Sequence, residues 1–185
     1  LFKPLSSILV NSTSFIDRRI GKKGHNISMS DLSDAIEITS DTSVTDDEKL
    51  ILKGIATFGE REACEIMVSR VNITAVDISL GYEEVLDIIL KSGFSRIPIY
   101  DETLDSISGI LYIKDLLLLS SGNQKMDWQN LIRKPVFFVP ENKRINDLLQ
   151  EFRTKKIHLA IVVDEYGGTS GIITLEDIIE EIVGE

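Results

Sequence analysis

One half of the chain is written twice. Ser95-Arg96-Ile97-Pro98-Ile99-Tyr100-Asp101, followed by Gly109-Ile110-Leu111-Tyr112-Ile113-Lys114-Asp115, returns as His158-Leu159-Ala160-Ile161-Val162-Val163-Asp164, followed by Gly171-Ile172-Ile173-Thr174-Leu175-Glu176-Asp177. The offset is 63 residues from Asp101 to Asp164 and 62 from Gly109 to Gly171, so one residue is lost in the intervening turn. Self-similarity at a fixed period means two copies of one supersecondary unit, packed on each other. Each copy reads helix, strand, turn, strand, helix, which makes the fold class α+β with two pseudo-twofold related units. The copies differ at one telling position, where Tyr112 stands in the place of Thr174.

With 185 residues, 43% of them hydrophobic, the chain can bury one or two cores. Its formal net charge of −10 argues against nucleic acid as a partner, because phosphate binding relies on clustered Lys and Arg. Arg18, Arg19, Lys22 and Lys23 form one short basic cluster against that background. The single cysteine, Cys64, excludes an internal disulfide and reads as a small residue on a helix. No apolar run approaches the roughly 18–20 residues that cross a bilayer. The chain starts without Met and closes at Ile182-Val183-Gly184-Glu185 inside an acidic amphipathic pattern, so it is expected to be a soluble piece of a longer protein.

Helical periodicity is expected over residues 1–20 and from Ser30 to Ile38, with Gly21 and Gly24 as a joint. The first of these, an amphipathic helix followed by positive charge, fits a juxtamembrane connector and fits an ordinary surface helix equally well. Thr45-Asp46-Asp47-Glu48 is a capping box that opens a helix running to Phe58, and Glu60 to Met67 forms another. The first repeat then reads as a strand from Ile73 to Ile78, a helix from Tyr82 to Lys91, strands Ile97–Tyr100 and Ile107–Leu111, and a helix from Ile113 to Leu119. Ser121-Gly122-Asn123 is a turn. The second repeat reads as strand Val136–Val139, helix Ile145–Arg153, strands Leu159–Val163 and Thr169–Ile173, and helix Leu175–Val183. Gly167-Gly168 supplies positive φ for a tight turn. Pro98 marks its strand as an edge strand or a locally irregular one, with shaping of the first cleft as the functional alternative. The expected organisation is a helical connector over 1–67, a first unit over 68–125 and a second over 126–185.

These residues resemble a known family. SRIPIYD and GILYIKDLL in the first copy, with HLAIVVDEYGGTSGIITLEDIIEEIVGE in the second, are similar to a tandem pair of CBS domains, the Bateman module, of the CorC/HlyC and CNNM membrane proteins. The connector wording is similar to a gliding-motility-associated branch. The resemblance implies the cytosolic, regulatory part of a membrane protein involved in magnesium or other divalent-cation transport, at the cytoplasmic face of a bacterial inner membrane. It implies a homodimer of CBS pairs, a transmembrane domain preceding residue 1, and a cleft for an adenosine nucleotide, ATP in this branch with AMP or ADP as alternatives. The family's ribose motif, Gly-h-x-Thr/Ser-x-x-Asp, is matched in the second copy by Gly171, Thr174 and Asp177.

A ribose offers two adjacent hydroxyls, which a carboxylate accepts while a Thr hydroxyl one helical turn away bonds beside it. Thr174 and Asp177 stand three apart at a helix start and can face one spot. The same Thr-x-x-Asp also reads as a capping box, and the two roles are compatible. Val136, Phe138 and the backbone around Ala160 are expected to form the purine slot, with His158 either at the ligand or as a partly buried strand-end residue. Glu176, Asp177, Glu180 and Glu181 crowd the same helix, so phosphates there need basic groups or Mg²⁺ carried with the nucleotide. Arg96 is the first candidate, ahead of Lys114, Arg133 and Lys134, and its ordinary alternative is a surface ion pair. The first copy keeps Asp115 but replaces the Thr by Tyr112, so that site is expected to be degenerate and the chain to take one nucleotide.

His25 and His158 stand far apart with no cysteine ligand pattern, so no metal site of the protein's own is expected. Nothing in the sequence forms a catalytic constellation or a P-loop, so no catalytic residue is assigned. The leading reading is a nucleotide-sensing regulatory module, and the alternative is a ligand-free dimerisation or partner-docking module of a membrane complex.

Overall fold

A computed structural model describes residues 45–119 and 127–184. The helices expected over 1–20 and 30–38, the basic cluster, His25 and the turn at 121–123 lie outside the described residues. In chain order the elements are α1 (Asp46–Phe58), α2 (Ala63–Ile66), β1 (Val68–Ser69), a 3-10 turn (Arg70–Asn72), β2 (Val76–Asp77), α3 (Tyr82–Ser92), β3 (Arg96–Asp101), β4 (Thr103–Tyr112) and α4 (Ile113–Leu119). A second 3-10 turn (Trp128–Leu131) leads to β5 (Phe138–Pro140), α5 (Ile145–Lys155), β6 (Leu159–Val163), β7 (Thr169–Thr174) and α6 (Leu175–Val183).

The repeat is visible as two α+β units. In the first, β3 lies between parallel β2 and antiparallel β4; in the second, the strand order is β1-β7-β6-β5. Val85, Ile89, Ile97, Ile99 and Leu111 fill the first core, closed by Trp128, whose Nε1 donates to the Leu80 carbonyl at 2.9 Å. Ile145, Leu148, Phe152, Ala160, Val162 and Ile178 fill the second. A third cluster, Ile110, Leu159 and Ile161 with Tyr112, Val136 and Ile172 against them, takes residues from both units and holds the two sheets together. Burying each such side chain stabilises by about 1.5–3 kcal/mol.

Several expectations need correction. Only Val76–Asp77 of the stretch from Ile73 is strand, because Arg70–Asn72 coils into a 3-10 turn before it. The helix expected from Glu60 to Met67 shortens to Ala63–Ile66, and the strand expected from Val136 starts at Phe138. Pro98 sits in the central strand of its sheet, not at an edge, and the irregularity allowed as the alternative is present just beyond it, where the register with β4 shifts between Ile99 and Tyr100. The partner of Pro98, Ile110, exchanges both backbone hydrogen bonds with Arg133 instead, and β2 pairs only from Ile99 onward, so the missing N–H costs no ladder bond. Of the glycine pair, only Gly167 adopts positive φ (84°), while the Asp164 carboxylate closes the turn by accepting from the N–H groups of Tyr166 and Gly168.

Residues 62–69, expected to finish the connector and open the first unit, are built into the second. Ala63 is in its core, β1 pairs with β7, and Ile145 N–H donates to the Arg61 carbonyl. α1 has the expected capping box, with Thr45 as N-cap and Glu48 reciprocating, and it packs on α6. No helix among the described residues is long and apolar enough to cross a membrane.

Candidate functional site

β7 ends where α6 begins, and that junction is fixed by side chains. Thr174 is the N-cap of α6: its Oγ1 accepts from the Asp177 N–H at 3.2 Å and donates to Asp177 Oδ2 at 2.8 Å. Asp177 Oδ2 also accepts from the Thr174 N–H at 2.7 Å. The capping reading of Thr-x-x-Asp is therefore realised. It uses one carboxylate oxygen and leaves Asp177 Oδ1 without a protein partner among the described residues, beside the two polar groups that the ribose reading requires.

Thr174 and Asp177 open into a cleft of about 340 Å³, within the ordinary range for small-molecule sites. The opposite wall comes from the first unit: Gly93, Phe94, Ser95 and Arg96, at the end of α3 and start of β3, with Asn72 and Thr74. Val68, Leu159 and Ile172 supply an apolar floor. The strand start of one unit thus faces the helix start of the other, as a pseudo-twofold requires. The repeat symmetry extends to the backbone, where Ser95 accepts from the Ile113 N–H and His158 accepts from the Leu175 N–H, both at 3.1 Å.

This crossing corrects the expected lining. Ala160 is buried in the second core, and Val136 packs between the sheets. Phe138 is exposed on β5, beyond β6 from β7. Gly171 is covered by Met67 and Val68, and His158, whose carbonyl accepts from the Leu175 N–H, is not among the residues that line the cleft. None of these five lines the cleft. The apolar residues that do line the cleft are Val68, Phe94, Leu159 and Ile172; of these, Phe94, large, apolar and more than half exposed, carries the one signal visible in sequence, an aromatic placed after a glycine in a polar turn.

Arg96 lines the cleft and also makes the ion pair that was its ordinary alternative. Its side chain is 23% exposed, with Nη1 3.6 Å from Glu176 Oε1, and its Nε is buried without a hydrogen-bond partner among the described residues. A buried guanidinium donor left open is costly unless something accepts from it, and an anionic ligand in the cleft would. Arg96 Cζ also lies 5.6 Å from the Tyr112 ring centroid, which puts it between this cleft and its counterpart in the first copy. There, Tyr112 carries Arg133 over its ring at 4.1 Å and Lys114 at 5.7 Å, and Arg133 is paired with Asp115. Lys134 joins the cis peptide bond to Pro135 and is exposed. A second cavity of about 490 Å³ lies between α1 and α6, lined by Lys53, Gly54, Thr57, Arg61 and Glu181, and it too reaches Asp177.

Comparison with known proteins identifies the two repeated units. The family model described as "CBS domain" matches twice, over residues 62–122 and 128–184. The magnesium and cobalt efflux protein CorC of Vibrio cholerae is 38% identical over 160 residues, covering 84% of this chain and 55% of that protein. The chain thus spans about half the length of the curated relatives it matches. Among solved structures, the CBS domain of a bacterial CNNM/CorC family Mg²⁺ transporter superposes with a TM-score of 0.70 at 39% identity, covering 83% of this chain and 92% of that one. A CBS domain of the same family in complex with ATP superposes with a TM-score of 0.66 at 41% identity, covering 75% and 98%.

Proposed function

Because this chain belongs to the CBS-domain family, as a tandem pair of the CNNM/CorC kind, we propose that it is a non-catalytic regulatory module that senses an adenosine nucleotide. ATP with Mg²⁺ is the ligand we favour, and the cleft between Thr174–Asp177 and Gly93–Arg96 is its site. The observation that carries the reading is the meeting, in one cleft, of a half-free carboxylate at Asp177 and an open buried donor at Arg96, over an apolar floor. The matching structure with ATP supports the choice of ligand.

In this reading the ribose hydroxyls donate to Asp177 Oδ1, with the Thr174 hydroxyl beside it. The purine lies against Val68, Phe94, Leu159 and Ile172. Arg96 turns from Glu176 to the phosphates. Mg²⁺ arrives with the nucleotide and offsets repulsion between the phosphates and Glu176, Glu180 and Glu181. The module then sits on the cytoplasmic side of a membrane protein for divalent-cation transport, and works as a homodimer of CBS pairs joined to that protein's membrane domain.

Thermal unfolding with and without ATP, each with and without Mg²⁺, tests the proposal. A ligand at 100 times its Kd stabilises by about 2.7 kcal/mol, a shift of a few degrees at this size. The shift is expected to need Mg²⁺ and to disappear in Asp177→Ala, judged against the variant's own ligand-free melting point because the cap of α6 is lost as well. A wild-type protein that stays unmoved at millimolar nucleotide sinks the reading. It would leave a ligand-free docking module, which the exposed Ile179 and Val183 on α6 favour.

A further inference from the structure

The repeat places Tyr112 and Asp115 in the first copy where the second has Thr174 and Asp177, and the strand or bridge beside each pair is related too. Val68 pairs with Ile172 beside Gly171, where a Cβ would come within 2.5 Å of the Val68 carbonyl oxygen. In the first copy, Arg133 bridges to Ile110 beside Gly109, where a Cβ would come within 2.9 Å of the Arg133 carbonyl oxygen. Ile110 and Gly109 are the repeat partners of Ile172 and Gly171, so Arg133 occupies the position of Val68. Val68 is a short apolar wall of the open cleft. Arg133 is long, charged and directed onto Tyr112 and Asp115, the residues at the ribose-motif positions of the first copy.

Its Nε and Nη2 both donate to Asp115 Oδ2, at 2.9 and 2.6 Å. Its Cζ lies 4.1 Å from the Tyr112 centroid, a flat cation on an aromatic face. Asp115 is the counterpart of Asp177 and Tyr112 that of Thr174. The backbone under this side chain is anchored, since Arg133 N–H donates to the Ile110 carbonyl at 2.9 Å and Ile110 N–H donates back at 3.1 Å. A ligand entering here would have to take two charge-assisted hydrogen bonds from the carboxylate it needs.

We propose that Arg133 is the internal occupant of the first cleft: stacked on Tyr112 and bound to Asp115, it takes the place of a ligand and limits the chain to one nucleotide. The choice of probe rests on reading the Thr174 cleft as an adenosine-nucleotide site; the occupancy of the first cleft by Arg133 does not. Removing the plug and restoring the motif should open a second site, because Asp115 would be released and Lys114 remains beside it to meet phosphates.

The test is calorimetric titration of the 185-residue chain with ATP and Mg²⁺. The wild type is compared with Arg133→Val/Tyr112→Thr, each with and without Asp177→Ala. The stoichiometry is expected to rise from one to two in the double variant, and to fall from two to one when Asp177→Ala is added. Photolabelling with 8-azido-ATP should then mark Ile157–His158, just before β6, in the double variant and not in the wild type. Arg133→Gln/Tyr112→Thr, which keeps most of the side-chain stem, serves if the valine variant does not melt cooperatively. A folded variant that still binds one nucleotide, lost with Asp177→Ala, overturns the plug and leaves the Thr174 site standing. A wild type that binds none while the double variant binds one supports the plug and overturns the Thr174 reading. No binding by either overturns both.

Discussion

Asp105 ties three distant pieces of chain together. Its carboxylate receives the Arg70 guanidinium at 2.5 and 3.0 Å and the Thr169 N–H at 2.8 Å, while Thr169 Oγ1 donates to the neighbouring Leu104 carbonyl at 2.7 Å. Arg70 follows β1, Asp105 sits in β4 of the first unit, and Thr169, a buried polar residue, starts β7 of the second. The Arg70 guanidinium, and after it the Thr169 N–H, hold the Asp105 carboxyl below its usual range. A carboxyl lowered by folding contributes stability above its unfolded pKa of about 3.9 and loses it as the pH falls through its folded value. Asp105→Asn keeps an acceptor for Thr169 but removes the charge. Its melting point is therefore expected to lie below that of the wild type near neutral pH, with the gap closing as the pH drops below about 4. Glu151, lowered first by Lys143 and then by Lys155, weakens in acid in both proteins and cancels in the difference. A gap that is constant with pH would mean that the Arg70 pair adds nothing to joining the units.

At the scale of elements, the packing of α1 on α6 depends on the absence of a side chain. A Cβ on Gly54 would come within 2.7 Å of the Ile182 carbonyl oxygen and 2.8 Å of that of Glu181, and backbone cannot yield as a flexible side chain does. Replacing a helical glycine normally stabilises by about 1 kcal/mol, whereas overpacking costs about 1–3 kcal/mol. Gly54→Val, with a branched Cβ, puts the balance on the side of loss. The urea midpoint should fall, and an unchanged or higher midpoint would show that the two helices are not apposed at this point. This contact could not be read from sequence, where Gly54 was one more residue in a helix opened by a legible cap at Thr45. Elements with a strong local signal were legible: α3, β6 and α6 fall within a residue of their expected bounds because amphipathic period, capping and apolar runs are local properties. β2 and β5 shrank because two or three residues become strand only through their neighbours, β3 and β6. The lining of the candidate cleft was half legible for the same reason. Thr174, Asp177 and Arg96 follow from motif and charge, but the slot was sought in the copy that carries the motif, whereas the pseudo-twofold builds its opposite wall from Gly93–Arg96 of the other copy.

At the scale of the whole molecule, α6 is, among the described residues, the one element that meets both cavities. Asp177 borders the cleft with Thr174 and also the cavity under α1. Farther along α6, Glu181 pairs with Arg61 at 2.9 Å, and Glu181 and Ile182 carry the carbonyls against which Gly54 closes. A ligand held at the N-terminal turn of α6 therefore acts on a helix whose far half is the seat of α1, and α1 is the segment that joins the pair to the chain before it. Coupling of this kind requires that the ligand prefer the arrangement in which α1 is docked, and by reciprocity docking then raises nucleotide affinity. Hydrogen exchange is the direct measurement, since local opening of a surface helix is read at its own amides. On addition of ATP and Mg²⁺, the amides of Asp46–Phe58 should exchange more slowly, as should those at the start of α6. In Arg61→Ala, which removes a link to α6 without touching the Thr174 cleft, protection should persist at the start of α6 and weaken in α1. Protection confined to the cleft in the wild type would show a module that binds nucleotide without passing the event to the helix leading out of it.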